Sequence, residues 1–100
     1  MRVKISNKVY DTQTSRLIGN RFAIQRRCNR VECLLFKKKN SEYFLYCNAY
    51  DKTWFHWYDF LTDENAYYEP KNHQFFGGGK FIVPLQTEQD IDFYIELAVA

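Results

Sequence analysis

Three cysteines, two histidines, a glycine run and a set of acids are the residues whose types invite chemistry in this chain. Cys28, Cys33 and Cys47 with His56 or His73 would make four metal ligands by type. Their separations, four residues, then thirteen, then eight or more, lack the close ligand pairs of a zinc site. The cysteines read instead as small buried hydrophobes, and their odd number suits a reducing compartment. Gly77-Gly78-Gly79-Lys80 invites a phosphate-loop reading that fails in three places. Gln74 stands where the first glycine belongs, Phe81 replaces Ser or Thr, and a strand pattern follows where a helix is needed. Nucleophilic catalysis needs Ser or Cys beside an activating His. No Gly-x-Ser-x-Gly occurs, and His56 sits within Phe55-His56-Trp57. Asp59, Asp63, Glu64 and Glu69 could be imagined as an acid/base pair, but they fall on the polar face of a helical pattern and its exit, where a solvated face is the default. The expectation is a protein without catalytic residues, metal site, cofactor or small-molecule substrate.

Binding chemistry is better represented. Arg16, Arg21, Arg26, Arg27, Arg30 and the run Lys37, Lys38, Lys39 could follow a nucleic-acid backbone, with neighbouring Tyr or Phe stacking on bases. A second set, Trp54, Trp57, Asp59, Asp63, Glu64 and Glu69, combines aromatic anchors with carboxylates. It suits a protein interface, including a basic channel that otherwise holds nucleic acid. The two sets reflect a wider asymmetry. Residues 1–50 carry eleven Lys or Arg against three acids, and residues 51–100 carry three Lys against nine acids. A split of that size points to a charged partner surface, or to two halves that neutralise each other in the fold.

One hundred residues suit one domain, 1–100, with enough chain to bury a core without staples. The 46% hydrophobic and 26% charged content argues against disorder. No apolar stretch approaches the roughly 20 residues of a membrane span. The polar start Met1-Arg2-Val3-Lys4 is not a signal peptide, so the expected location is the cytoplasm.

Several elements must position these residues. Val3, Ile5 and Val9 alternate with polar residues, predicting a tight hairpin over 2–11 with Asn7-Lys8 at its turn. Asp11 to Thr14 offer capping groups before Leu17-Ile18, with Gly19-Asn20 closing a short helical turn. Residues 20–30 read as a loop or edge strand. Val31–Phe36 and Tyr43–Cys47 predict a central hairpin with both faces covered. An Asn40-Ser41 loop would set Phe36 opposite Leu45 and Leu34 opposite Cys47. Trp54, Trp57, Tyr58 and Leu61 fit one stripe of a short helix. Glu69-Pro70-Lys71-Asn72 reads as a turn, and Lys80–Val83 as a strand stopped by Pro84. Thr87-Glu88-Gln89-Asp90 is a capping pattern for a C-terminal helix with the stripe Ile91, Tyr94, Ile95, Ala98. The fold class expected is α+β: an antiparallel sheet of about four or five strands with this helix packed on one face.

Three blocks carry a family resemblance: Lys8-Val9-Tyr10-Asp11-Thr12-Gln13-Thr14, the stretch Leu34 to Tyr46 ending in Tyr43-Phe44-Leu45-Tyr46, and Gly78-Gly79-Lys80-Phe81-Ile82-Val83-Pro84-Leu85. Together they resemble small proteins of phages, plasmids and conjugative elements of Gram-positive bacteria, some of which are anti-CRISPR inhibitors. The match touches about half the chain, mostly at scaffold positions. Cys47-Asn48-Ala49-Tyr50 departs from the Gly-Glu-Gly-Gly-like stretch usual after that hairpin, and residues 54–69 are unusually rich in aromatics and acids. The resemblance implies a bacterial host cytoplasm and, as partner, a CRISPR effector nuclease or its guide RNA.

Overall fold

A computed structural model describes residues 1–26, 29–49, 67–70 and 79–100. The chain opens with a hairpin of β1 (Arg2–Ile5) and β2 (Lys8–Asp11). Its two-residue turn is Ser6-Asn7, with φ of 49° and 66°, one position earlier than the expected Asn7-Lys8. Two left-handed residues give the turn a twist that matches paired strands. Thr12 N–H donates to the Met1 carbonyl at 3.0 Å and closes the open end of the hairpin.

Among the described residues five further strands follow: β3 (Arg16–Arg26), β4 (Asn29–Lys37), β5 (Tyr43–Ala49), β6 (Tyr67–Pro70) and β7 (Gly79–Leu85). They form one antiparallel sheet in the order β3-β4-β5-β7-β6. The expected helical turn at 17–20 is absent. Leu17 and Ile18 pair with Phe36 and Leu35, so sheet pairing overrides the local capping signal. Residues 20–26 are an edge strand, the second of the two readings. Between Ile18 and Phe22 four steps along β3 match only two along β4, where the register slips from Leu35 to Cys33. Gly19, at φ 65°, sits inside this bulge. Two breaker readings are also corrected. Glu69 and Pro70 belong to β6 rather than a turn. Pro84 is buried within β7, opposite Phe44. β6 begins opposite Ile82, so among the described residues Pro84 has β5 as its one strand neighbour, a position where a missing N–H is tolerated.

The central hairpin forms as expected, but one register step away. Phe36 pairs with Phe44, Leu35 with Leu45, Leu34 with Tyr46 and Cys33 with Cys47. The loop explains the slip. Ser41 N–H donates to the Lys38 carbonyl at 3.0 Å, Lys38 N–H donates to the Glu42 carbonyl at 2.7 Å, and Ser41 is left-handed at φ 71°. This is a three-residue loop, Lys39-Asn40-Ser41, with the left-handed residue in last place. Because side chains alternate with a period of two, that step moves β4 residues to the opposite face from the one expected.

Both faces of the sheet are covered. On one, Val31, Cys33, Leu35, Leu45, Cys47 and Phe81 pack against α1 (Glu88–Val99) through Ala98, Tyr94 and Ile95. On the other, Phe36, Phe44 and Ile82 meet Ile5 and Tyr10 of the N-terminal hairpin. Phe44 stacks on Phe36 at 5.4 Å between centroids and meets Tyr10 in a T-shaped contact at 5.4 Å. Each such fully buried side chain contributes about 1.5–3 kcal/mol. The fold class is therefore α+β, as the sequence implies. The Thr87 hydroxyl accepts from Asp90 N–H at 3.1 Å and caps the helix. Among the described residues no helix is long and apolar enough to cross a membrane.

Candidate functional site

The basic residues are dealt to opposite ends of the sheet. Arg26 and Arg30 stand at the paired end of β3 and start of β4, in the registers Arg26 with Asn29 and Gln25 with Arg30. Lys37, Lys38 and Lys39 stand at the far end of β4. At about 3.3 Å per residue the two groups are roughly 23 Å apart along the strand. Arg27 lies outside the described residues, as do Cys28, His56 and His73.

Each described cation has its own surroundings. Arg21 on β3 is mostly exposed and reaches Glu32 at 3.6 Å. Lys37 holds its ammonium 5.5 Å from the Tyr43 ring centre. Lys38 is largely buried, bonded to Glu42 at 2.9 Å and placed 4.4 Å above the Tyr10 ring. Lys39 is exposed in the loop. The expected lysine run is thus divided. Lys38 is consumed by the scaffold, Lys37 lies along an aromatic ring, and Lys39 faces solvent.

Glu42 is the hub of that loop. Lys8 donates to it at 2.6 Å, Lys38 at 2.9 Å and the Asn40 amide at 2.8 Å. These donors, Lys8 foremost and then Lys38 and Asn40, lower its carboxyl to about 2. The same contact raises Lys8. Beside the pair lies an open cleft of about 530 Å³, bordered by Ile5, Tyr10, Tyr43, Leu85 and Ile91. A carboxylate fixed so firmly in its ionised form acts as an electrostatic anchor, not as a proton carrier near neutral pH.

Of the aromatic-acidic set, Trp54, Trp57, Asp59, Asp63 and Glu64 lie outside the described residues. Glu69 stands on β6 opposite Lys80 of β7. A second acidic surface lies outside the binding residues expected from the sequence. The outer side of α1 exposes Glu88, Asp90, Asp92 and Glu96, and the helix holds no Lys or Arg. Phe93 is 54% exposed among them, and Val99 lies near the helix end at 60%. The signal was present, since the stripe Ile91, Tyr94, Ile95, Ala98 leaves 92, 93 and 96 pointing outward. Among the described residues the ion pairs Lys8–Glu42, Lys38–Glu42 and Arg21–Glu32 all join residues within 1–50. The acids of α1 are not drawn into them.

Beneath α1, Cys33 and Cys47 are buried, as the hydrophobe reading requires, with their sulfurs 3.3 Å apart. No family model, curated protein or solved structure matches the chain.

Proposed function

We propose that this chain is an anti-CRISPR protein of a phage, plasmid or conjugative element, which inhibits an RNA-guided nuclease by stoichiometric binding. The observation that carries this reading is the resemblance of the blocks 8–14, 34–46 and 78–85. These blocks fall on β2 and the turn after it, on the β4–β5 hairpin, and on β7. The partner is a CRISPR effector nuclease, whose nucleic-acid channel is strongly basic. Carboxylates on a rigid element would stand in for phosphates there, with exposed aromatics as anchors. Glu88, Asp92, Phe93 and Glu96 of α1 have that character, and the acidic segment around Trp54, Trp57, Asp59, Asp63 and Glu64 has it in sequence.

The test is a pull-down from a CRISPR-bearing host followed by a cleavage assay with added protein. Co-purification and inhibition that saturates near one protein per nuclease are the expected results. Failure to bind or inhibit any tested effector would remove the reading. A second reading, a nucleic-acid-binding accessory protein, draws on the exposed Arg21 and Lys39. A gel shift with naked RNA or DNA that weakens steeply with salt would favour it, because phosphate contacts release counterions.

A further inference from the structure

Cys33 and Cys47 sit directly opposite each other on β4 and β5, which are paired in register through the centre of the sheet. Their sulfurs are 3.3 Å apart and both residues are almost fully buried, at 1% and 2% exposure. A disulfide needs a sulfur separation of about 2.0 Å and closely facing β-carbons, so only a small closure divides this pair from a bond. Cys33 and Cys47 also line a small pocket of about 30 Å³, together with Ile24, Leu45, Phe81, Val83 and Tyr94. That is room for a molecule of only a few atoms, on the scale of water or hydrogen peroxide. A bulky disulfide such as oxidised glutathione has no place there.

From this geometry we propose that Cys33 and Cys47 are a peroxide-sensitive modification site, a buried dithiol that closes to a cross-strand disulfide. The oxidant is hydrogen peroxide, small enough for the pocket. One of the two sulfurs, on losing its proton, attacks one peroxide oxygen, the O–O bond breaks, and the departing hydroxide takes up that proton as water. That cysteine is then a sulfenic acid. The other sulfur attacks it, and its proton departs with the hydroxyl group as water. In total the two thiols lose two protons and two electrons, and peroxide becomes two waters. Burial above all, then the hydrogen bond to Cys33, pushes the Cys47 thiol up. The new bond would tie β4 to β5 within the core beneath α1, making the sheet harder to open.

The experiment uses the full chain with Cys28 replaced (Cys28→Ser), leaving one pair of thiols. Folded protein is treated with stoichiometric hydrogen peroxide, and its intact mass, peptide map and thermal midpoint are measured. The expected results are loss of two hydrogen atoms, a Cys33–Cys47 crosslinked peptide, and a midpoint raised by several degrees that dithiothreitol reverses. Diamide, being larger, should react at least tenfold more slowly with the folded protein. Thiols that survive peroxide unchanged would overturn the proposal, as would stable oxygen adducts without a crosslink. Because Cys33→Ser or Cys47→Ser variants risk misfolding, wild-type protein is mapped as well. A bond from Cys28 to either partner would also overturn it.

Discussion

Gly19 shows how a single side-chain hydrogen can hold an element in place. Its φ of 65° lies in the left-handed region, and an added Cβ would fall within 2.7 Å of the Ala98 carbonyl carbon and closer still to its oxygen. Both obstacles are backbone, so no side chain can swing away. Gly19→Ala should lower stability by about 2 kcal/mol, seen as a lower urea midpoint with unchanged slope. At Glu42 the consequence is a pH dependence. Its carboxyl falls from 4.5 to about 2 in the folded protein, through Lys8 first and then Lys38 and Asn40. A carboxylate favoured in this way stabilises the fold above its unfolded value, and the benefit fades as pH drops from about 4.5 toward 2. The Lys8 side chain is 57% exposed, so solvent screening keeps the contribution of Glu42 near 1 kcal/mol. Glu42→Gln should remove it at neutral pH and flatten the acid limb of a stability-versus-pH curve over that window. The lysine run was legible in sequence as charge. Which lysine is free was not, because the Lys38–Glu42 contact depends on the loop that closes the hairpin.

Elements were legible where local pattern and tertiary pairing agree. The stripe and cap of α1 fix its length and buried side, and the Thr87–Asp90 bond bears out the cap. The β4–β5 hairpin was legible as a pair of strands. Its register was not, because both strands are apolar on both faces and no hydrophobic alternation marks a one-residue step. Only the left-handed Ser41 decides it. β3 was misread at its start, since Asp11-Thr12-Gln13-Thr14 cap nothing. Asp11 instead accepts from Gln13 N–H at 2.9 Å in a tight polar turn. Docking of α1 yields an element-scale prediction. Ile95 is half-buried against the core formed by Val31, Cys33, Leu35 and Leu45. Ile95→Asp would press a carboxylate into that contact without a partner. The melting midpoint should fall sharply, with loss of cooperative unfolding, whereas Asp92→Asn on the exposed side should leave it within a degree or two.

At the scale of the molecule, charge is sorted by sequence half and is not cancelled by the ion pairs among the described residues. The sheet keeps Arg26 and Arg30 away from Lys37–Lys39, which disfavours one compact basic patch and leaves a longer track. The acids of α1 lie on one short rigid rod, so they can meet a basic groove together. The two binding modes therefore make opposite demands on mutants. If the chain occupies a nuclease channel, reversing Asp59, Asp63 and Glu64, or Asp92 and Glu96, should weaken inhibition at least tenfold. Raising salt should weaken the unmodified protein in parallel, since exposed charges are screened within about 8–10 Å. If the chain instead grips guide RNA, replacing Arg26 and Arg27 should abolish inhibition and the acid reversals should leave it intact or tighter. Melting curves of each variant separate lost binding from lost folding, because Asp92 and Glu96 are exposed and their reversal should spare the midpoint. Inhibition unmoved by either set, in variants that still fold, would place the interface on neither surface and remove both modes.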